Sequence, residues 1–493
     1  MFQLSEFERF LSLDGRFEDL NYPLTNVETD SRKVSSETLF VALPGVESNG
    51  WDYLDAVEKQ GCKYAIVPSN VGKEIFQNRN GSLNVIASDN VYAFLKALVE
   101  QSIGKAPRHL IAVTGTNGKS SICFYVAQLA DAIGLTSAII GTFGVGKLNS
   151  LREAKQTTPD LLTLQKTLAR FEKECVDLVA FEVSSHALDQ NRVNGVAINT
   201  AIFSNLSQDH LDYHGSMENY AEAKRKLFRL PSVARAIFCS QSDYYNFMSE
   251  KANGERLYYG ERSEDDFAIS NVVYHAAGCT FTLSVAEAHY EVELPLMGEF
   301  NVENAVGALA SVWPLTENKL ALISALNELK GAPGRMEKVL LESTAKTPVV
   351  LVDYAHTPDA LSVALKALSV HSNAPVTCVF GCGGDRDKGK RSQMMQAAFE
   401  NADKIILTTD NPRTESPDDI IQDALKGISE IERQKVIVDK DRRNAIEHAI
   451  LSASSNEIVL IAGKGHETYQ DVNGVKYHFD DKEEALSALK KYA

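Results

Sequence analysis

The sequence predicts an α/β protein of three domains, with a small N-terminal α/β domain, a central parallel sheet and a C-terminal Rossmann-like, doubly wound sheet. Short apolar runs alternate with helical patterns from about residue 109 onward, which is typical of parallel strands joined by crossover helices. The residues Gly331-Ala332-Pro333-Gly334 interrupt this alternation and divide it into two sheets. No internal repeat or low-complexity segment is present.

The first predicted domain, residues 1–104, has few segments long enough for a helix. Apolar runs predict short strands at 39–43, 64–67 and 84–87, and a helix should begin near Asn90. Glycine and proline in residues 104–107 indicate a linker, so the second domain is placed at 105–332 and the third at 333–493.

The two larger domains each contain a series of predicted strands. In the second, the runs lie at 136–140, 178–181, 196–203 and 236–238, followed by short antiparallel strands in 266–294 and a helix over 301–311. In the third, the runs lie at 349–352, 376–380, 405–407, 436–438 and 458–461, with helical patterns between them.

Composition narrows the class of protein. With 493 residues, 44% apolar and 24% charged, the chain has the composition of a soluble globular protein. A net charge of −16 argues against nucleic-acid and anionic-membrane partners, which require a basic face, but not against small anionic ligands. Seven scattered cysteines without a C-x-x-C pair indicate reduced thiols. Without a signal-peptide pattern or a membrane-length apolar run, we expect a cytoplasmic protein.

Residues 109–121 have the order of a nucleoside-triphosphate P-loop: strand, glycine turn, lysine, serine and helix. In that arrangement Lys119 reaches the outer phosphates and Ser120 ligates Mg²⁺. The spacing departs from G-x-x-x-x-G-K-[ST], because Val113 stands where the first glycine is expected and the first glycine is Gly115. The alternative is an ordinary glycine turn with a solvated lysine, which the flanking strand and helix make the weaker interpretation.

Polar clusters follow six of the predicted strands. Because open α/β sheets bind ligands beyond the carboxyl ends of their strands, the clusters predict two active faces, one per sheet, that act on a common ligand. The clusters lie at 182–186, 205–210, 353–356, 381–387, 410–413 and 463–467.

For three residues of the second domain, a role at a metal site and a structural role are both open. Glu182 is placed to hold Mg²⁺ near the P-loop, or it caps a helix. His210 lies in a loop unusually rich in ligand-type residues, although a lone histidine is more often structural. Lys224 should be repelled by a metal site and would otherwise lie on a solvated helix face.

Taken together, the motifs at 114–120, 182–186, 205–215 and 220–224 resemble the Mur ligase family, ATP-dependent amide-forming enzymes of peptidoglycan synthesis. The resemblance continues through 298–304, 334–337 and 353–358 and covers nearly the whole chain. It implies a UDP-binding N-terminal domain, a central P-loop ATPase domain and a C-terminal amino-acid-binding domain, which matches the three predicted domains.

Within the family, the motif Asp410-Asn411-Pro412-Arg413 accompanies the use of meso-diaminopimelate, whereas lysine-adding relatives usually lack the arginine. The physical reason is that diaminopimelate carries a distal carboxylate, which an arginine can hold bidentately. The resemblance implies a diaminopimelate pocket of Arg386, Asp410, Asn411, Pro412, Arg413, Gly463 and Glu467. The alternatives are a lysine-adding relative, a folyl-polyglutamate-forming ligase and a P-loop ATPase that acts as a switch.

The implied reaction adds diaminopimelate to the D-glutamate of a UDP-muramoyl dipeptide through an acyl phosphate, in peptidoglycan precursor synthesis. It implies small-molecule substrates, Mg²⁺ as cofactor, ATP as co-substrate, and catalysis by Lys119, Glu182, His210 and Lys224. Lys224 resembles the family's lysine that reacts with CO₂ to give a carbamate, and would join Ser120, Glu182 and His210 as a metal ligand. His356 assists amine deprotonation or is structural. We expect a monomer.

The resemblance also implies two further sets of contacts. ATP would be contacted by Gly115, Thr116, Asn117, Gly118, Lys119, Ser120, Ser121, Asn301, Arg335 and Asp353. The UDP-muramoyl dipeptide would be contacted by Thr29, Ser31, Val46, Glu47, Ser48, Gln156, Thr157, Thr158, Ser184, Gln190 and Arg192.

Overall fold

The computed structural model describes residues 1–12, 19–71, 75, 81–275, 277–341, 346–371 and 374–493. Two compact units divide the chain: Met1–Tyr259 with Ala310–Thr316, and Gly260–Leu309 with Glu317–Ala493. Both contain a parallel sheet with helices, and the second also has antiparallel strands, so the predicted α/β class is confirmed. All seven cysteines are free. In the described part of the chain, no helix is both long and apolar enough to cross a membrane.

The N-terminal sheet of the first unit has four parallel strands that lie side by side in chain order. They are Asn26–Glu28, Thr38–Val41, Tyr64–Pro68 and Asn84–Ser88, with helices Leu54–Lys59 and Val91–Ser102. The expected helix start is confirmed, since the Asn90 side chain accepts a hydrogen bond from the Ala93 N–H as an N-cap. The strand Asn26–Glu28 was not predicted, because three residues with one buried side chain give no pattern.

The second sheet of the first unit places its phosphate-loop strand between two parallel neighbours. In spatial order its strands are Glu255–Gly260, Arg235–Cys239, Thr200–Phe203, His109–Thr114, Leu178–Glu182, Ser137–Gly141 and Gly144–Gly146. Its helices are Lys119–Ala132, Leu161–Lys173, Ser185–Asp189, Leu211–His214, Met217–Arg225 and Tyr245–Ser249. Because the three strands that end at Thr114, Glu182 and Phe203 are parallel neighbours, the loops that follow them meet at one edge.

One predicted strand of this unit is wrong over its first half. The run at 196–203 forms a strand only from Thr200, because Val196 and Ile198 donate their N–H groups to Val193 and Val196 in turns. Their side chains are nevertheless buried, which explains the apolar signal.

The second unit contains an antiparallel group and a six-stranded sheet. The predicted antiparallel strands are confirmed as Phe267–His275, Gly278–Val285 and Ala288–Leu294. The six-stranded sheet has the order Glu337–Lys338, Val349–Asp353, Ile458–Ala462, Val376–Cys382, Lys404–Thr409 and Val436–Val438, all parallel except the first. A separate hairpin joins Tyr469–Val472 to Val475–His478.

Helices cover both faces of the six-stranded sheet, as expected for a doubly wound fold. Leu361, Met395 and Ile421 belong to the apolar cluster on one face, and Ile446 and Leu489 to the cluster on the other. The helices of this unit are Glu299–Val312, which ends in the first unit, Lys319–Leu326, Pro358–His371, Gly389–Asn401, Pro417–Leu425, Glu430–Arg433, Arg442–Ser452 and Asp481–Tyr492.

Candidate active site

The predicted P-loop joins strand His109–Thr114 to helix Lys119–Ala132. Gly118 is the N-cap of this helix with φ of +84°, a left-handed conformation that glycine adopts without strain. A Cβ on Gly115 would lie 2.0 Å from Ser204 Oγ, so the close approach of the next loop requires glycine there too. A glycine turn that ends on a helix N-terminus offers N–H groups and positive potential to a phosphate.

Residues 204–207, which follow the neighbouring strand, hold the P-loop in shape. The N–H groups of Thr116 and Asn117 donate to the Asn205 main-chain carbonyl at 2.8 Å and to its Oδ1 at 2.9 Å. Ser207 N–H donates to Thr116 Oγ1 at 3.0 Å, and Ser204 Oγ donates to the Asn117 carbonyl at 2.5 Å. The polar cluster predicted after this strand therefore forms part of the same site.

Lys119 and Lys224 donate to the same backbone carbonyl. Lys119 Nζ lies 3.0 Å from the Gly115 oxygen and 2.7 Å from the Thr116 oxygen, and Lys224 Nζ lies 2.8 Å from the Gly115 oxygen. Lys224 is only 1% exposed, so the alternative of a solvated helix face is wrong. Burial, followed by repulsion from Lys119, lowers the pKa of Lys224 well below its usual 10.5. This shift favours the neutral, nucleophilic amine.

Glu182 is a buried carboxylate beside the P-loop strand, where it pairs with Val113. Its Oε1 accepts a hydrogen bond from the Thr142 N–H at 2.6 Å. A Cβ on Gly141 would lie 2.2 Å from that oxygen, so glycine there makes room for the carboxylate. The alternative of a helix-capping role is wrong, because Ser184 caps the helix that follows. Among the described ion pairs none involves Glu182.

His210 belongs to a cluster of aromatic side chains that includes Tyr220, whose hydroxyl lies 3.1 Å from Thr116 Oγ1 of the P-loop. It is exposed, has φ of +51°, and its Nε2 lies 3.4 Å from Asp209 Oδ2. Its ring centroid lies 4.8 Å from that of His186, which lies 4.1 Å from Tyr213 and 5.5 Å from His214. Burial lowers the pKa of His186 and of His214. Within the described ranges, no three His, Cys, Asp or Glu side chains form a group able to hold a metal.

The predicted dipeptide contacts of the first unit lie together around Arg192. Its Nη1 donates to Gln156 Oε1 at 3.0 Å and to the Thr158 carbonyl at 2.9 Å, and its Nε donates to Gln190 Oε1 at 3.0 Å. Thr158 Oγ1 donates to the Glu182 carbonyl at 2.8 Å. This group is therefore linked directly to the Glu182 strand. Thr157 and Ser184 also belong to it, through hydrogen bonds to Thr142 and Thr158.

The predicted UDP contacts lie on the four-stranded sheet. Thr29 and Ser31 are half-buried and follow strand Asn26–Glu28. Residues 46–48 are exposed and follow strand Thr38–Val41, which pairs with that strand. Because the two strands are parallel, both groups lie beyond the same edge of the sheet. Ser48 Oγ lies 2.8 Å from the Tyr53 hydroxyl.

Asp353 ends the strand Val349–Asp353 of the second unit and organises the loops around it. Its two carboxylate oxygens accept the N–H groups of Met336 and Ala355 at 2.7 and 2.8 Å. Burial raises the pKa of Asp353, and the nearby Arg335 opposes that rise. Asn301, another predicted ATP contact, is buried, and its Nδ2 donates to the Met297 carbonyl at 2.7 Å.

Tyr354 links Arg335 to two histidines. The Arg335 guanidinium lies 4.6 Å from the ring centroid of Tyr354, and the rings of His356 and His466 lie 4.6 and 5.3 Å from it. His356 Nδ1 lies 2.8 Å from the Tyr354 carbonyl, a contact that fixes the orientation of the ring.

The predicted diaminopimelate residues come from the carboxyl ends of three strands. Asn411 Nδ2 donates to Glu467 Oε2 at 2.9 Å, and a Cβ on Gly463 would lie 2.7 Å from Asp410 Oδ2. Arg413 has φ of +50°, and its Nη1 donates to the Gly384 carbonyl at 2.6 Å. Asp410, Asn411 and Pro412 are buried, Arg413 and Glu467 are half-buried, and Arg386 is exposed on the neighbouring loop.

Sequence reasoning missed several residues that shape these sites. Thr142 and Tyr220 contact Glu182 and the P-loop threonine Thr116, respectively. Lys464 is fully buried and contacts two predicted pocket residues, although the motif that contains it was recognised. The types of these residues did not indicate a role in the sites, since most of their contacts are with residues far away in the sequence.

The structure thus has a phosphate loop beside a buried carboxylate, and a second sheet whose carboxyl-end loops carry charged and polar side chains, as expected of an ATP-dependent ligase. Residues 113–312 match the family model described as "Mur ligase middle domain", and residues 334–465 match "Mur ligase, glutamate ligase domain". The chain belongs to the Mur ligase family.

Two similar proteins are named UDP-N-acetylmuramoyl-L-alanyl-D-glutamate–2,6-diaminopimelate ligase. The protein from Coxiella burnetii is 39% identical, over 94% of this chain and 95% of its own length. The protein from Pseudomonas aeruginosa is 40% identical, over 93% and 94%. A solved structure of a ligase with the same name is 36% identical, with a TM-score of 0.75 and 99% of both chains covered. A Mycobacterium tuberculosis folylpolyglutamate synthase, 19% identical over 76% of this chain and 92% of its own, has a TM-score of 0.57 and shares the fold.

Proposed function

We propose that the chain adds meso-2,6-diaminopimelate to the D-glutamate of UDP-N-acetylmuramoyl-L-alanyl-D-glutamate, with ATP as co-substrate. The observation that carries this proposal is the pocket of Asn411, Arg413 and Glu467. The distal end of diaminopimelate has one ammonium and one carboxylate, which match a glutamate and an arginine held in one pocket. Relatives that align with more than 90% of this chain are named for this activity.

The P-loop residues Gly115, Thr116, Asn117, Gly118, Lys119, Ser120 and Ser121 would hold the triphosphate. Lys119 would leave the carbonyls of Gly115 and Thr116 to neutralise the outer phosphates. Asn301, Arg335 and Asp353 remain predicted ATP contacts. The group around Arg192 would hold the dipeptide end of the UDP substrate, and Thr29, Ser31 and residues 46–48 its nucleotide end. The proposed domain boundaries remain 1–104, 105–332 and 333–493.

We infer that Mg²⁺ would be held next to the P-loop by Ser120, Glu182, His210 and a carboxylated Lys224. Only two of these are His, Cys, Asp or Glu, so the set is compatible with the lack of a group of three such side chains in the described ranges. The Ser120 hydroxyl and the buried Glu182 carboxylate are hard oxygen donors, and no cation pairs with Glu182 among the described residues. Lys224 would repel the ion as an ammonium but would supply two oxygens after reaction with CO₂, and its lowered pKa favours the amine form that this reaction needs. His210 would complete the set. When bound, the ion would neutralise charge on the phosphates.

The chain's own residues act chiefly by positioning and electrostatics. The D-glutamate carboxylate, held near Arg192 and Thr158, would attack the γ-phosphorus, form a P–O bond and release ADP. Lys119 would stabilise the transferred group. The diaminopimelate amine would then attack the acyl-phosphate carbon, form the C–N bond and expel inorganic phosphate. We also propose that the enzyme acts in the cytoplasm as a monomer on small molecules, without nucleic-acid or membrane partners, in peptidoglycan precursor synthesis.

The test is a competition between amino acids. The purified chain is incubated with ATP, Mg²⁺, the UDP-muramoyl dipeptide and either meso-diaminopimelate or lysine, and phosphate and product are measured. Diaminopimelate should be added efficiently, and Arg413→Ala should remove most of the preference. Efficient lysine addition without diaminopimelate addition would reject the proposal and favour the lysine-adding relative. ATP hydrolysis that needs neither acceptor would indicate a switch.

A further inference from the structure

Lys464 is a buried cation to which the proposed reaction gives no role. It is the second residue after strand Ile458–Ala462, and its side chain is 0% exposed. Taking an ammonium out of water is costly unless charged or polar partners replace the water. Its partners therefore indicate what it does.

Those partners are two residues of the proposed diaminopimelate pocket. Lys464 Nζ lies 3.2 Å from Asn411 Oδ1 and 3.3 Å from Glu467 Oε2, and 5.5 Å from the ring centroid of Tyr469. Asn411 Oδ1 also accepts the Asp471 N–H at 2.9 Å. These two donors fix the orientation of the Asn411 amide, so that its Nδ2 points at Glu467 Oε2.

The same contacts orient the Glu467 carboxylate. Its Oε2 accepts both Asn411 Nδ2 and Lys464 Nζ, and the described hydrogen bonds of this side chain all end on that oxygen. Oε1 is thereby left to receive a ligand ammonium. We propose that Lys464 is a positioning and specificity-determining residue, which orients Glu467 and Asn411 and balances their charge; this inference rests on the proposed diaminopimelate-adding function.

The charge balance explains the specificity. Among the buried or half-buried groups of the pocket, the charged ones are two carboxylates, Asp410 and Glu467, and two cations, Arg413 and Lys464. Arg386 is exposed to water, and the buried Arg442 nearby is neutralised by its pair with Asp481. A balanced pocket suits the distal end of diaminopimelate, which is a zwitterion, better than the lone ammonium of lysine. Without Lys464 these buried and half-buried groups carry a net negative charge, which favours a lone cation.

The experiment replaces Lys464 by methionine in the full chain, which keeps the length of the side chain and removes its charge. Lys464→Met should raise the KM for diaminopimelate about tenfold or more, the size expected for lost charge-assisted hydrogen bonds. The kcat should change less than about threefold and the KM values for ATP and the UDP substrate less than about twofold. The preference for diaminopimelate over lysine should fall about tenfold.

The matched control is Lys404→Met, which removes a lysine that pairs with Glu457 at 3.0 Å at the opposite end of the same sheet. It should leave all KM values and the amino-acid preference unchanged. The proposal is overturned if Lys464→Met, like the control, leaves the KM values and the amino-acid preference unchanged. It is also overturned if Lys464→Met raises all three KM values equally.

A second variant covers the case in which Lys464→Met folds poorly because Glu467 is left uncompensated. Lys464→Met with Glu467→Gln removes both charges, so folding should recover, and its KM for diaminopimelate should match that of Glu467→Gln alone within about twofold. A further rise well beyond that would show that Lys464 acts independently of Glu467 and would overturn the proposal. Wild-type protein is assayed first, because failure to add diaminopimelate rejects the proposed function, whereas normal wild-type activity with an unaffected Lys464→Met rejects only the role of Lys464.

Discussion

Protonation of His466 should destabilise the second unit in mild acid. Burial, followed by repulsion from Arg335, lowers the pKa of this imidazole from 6.5 to about 4. Its ring packs 5.3 Å from that of Tyr354, and its backbone N would lie 2.2 Å from a Cβ on Gly334, so the loop has little room to move. Between these two pKa values, His466 therefore stays neutral in the folded protein, whereas the same histidine takes up a proton in the unfolded chain.

The size of the effect follows from the two pKa values. The folded state binds fewer protons, so the stability associated with neutral His466 is fully present above pH 6.5 and is lost as the pH falls toward 4. At 1.36 kcal/mol per pKa unit, the complete loss is about 3 kcal/mol, of which about 2 kcal/mol is lost by pH 5.

The assay compares urea unfolding of the wild type and of His466→Gln at pH 7.5 and pH 5, followed by circular dichroism. Glutamine cannot titrate, so the variant lacks the pH-dependent contribution of His466 to stability. Any stability that the substitution itself removes is measured at pH 7.5. The difference in stability between the two proteins should shift by about 2 kcal/mol in favour of the variant at pH 5. Other histidines with lowered pKa, such as His371, are present in both proteins and cancel. An identical pH dependence in the two proteins would refute the reasoning.

Three further perturbations test other parts of the structure. Lys224→Ala should abolish most ligase activity, and added short-chain carboxylates should partly restore it, because they can replace a carboxylated lysine; turnover measures both. Gly384→Ala would place a Cβ 1.9 Å from the Pro412 carbonyl oxygen, so it should raise the KM for diaminopimelate about tenfold or more through displacement of that loop, with the KM for ATP unchanged. Asp481→Asn removes charge from a fully buried bidentate pair with Arg442 and should lower the free energy of unfolding by about 3 kcal/mol or more.

Each of these has a clear contrary result. Full activity of Lys224→Ala would exclude the carbamate role. A normal KM for diaminopimelate in Gly384→Ala would show that the Pro412 loop does not contact the amino acid. For Asp481→Asn the control is Glu447→Gln, which breaks an exposed pair with Lys491 and should cost at most about 1 kcal/mol. Equal losses in both would contradict the argument from burial.

The sequence predicts the strands and their carboxyl-end loops well, because each buried parallel strand appears as a short apolar run. The P-loop was recognised despite its late first glycine, and the structure explains that position: Gly115 must admit Ser204 from the neighbouring loop. The hairpin Tyr469–His478 was missed although its sequence carries a signal, since Asn473-Gly474 is a typical hairpin turn and residues 475–478 alternate apolar and polar. Neither strand has a buried side chain, so neither forms the apolar run by which the other strands were predicted.

The burial of individual charged side chains could not be predicted. Lys224 lies in a polar helix segment whose sequence fits a solvated face, and only packing against the P-loop makes it 1% exposed. Lys464 lies in a motif that was noted, yet its contacts with Asn411 and Glu467 join residues 53 and three positions away. The contact with Asn411 depends on which strands become neighbours, and local sequence patterns do not specify that.

The Gly115 carbonyl would couple the proposed nucleotide binding to the proposed carboxylation of Lys224. Lys119 and Lys224 both donate to it, so a change of charge or partner on one amine alters the environment of the other. Suppose that carboxylation of Lys224 changes the affinity for nucleotide by some factor. By thermodynamic linkage, bound nucleotide must then change the affinity of Lys224 for CO₂ by the same factor. The nucleotide concentration and the dissolved CO₂ would then jointly set the fraction of competent enzyme, and neither could be varied alone without moving the apparent affinity for the other.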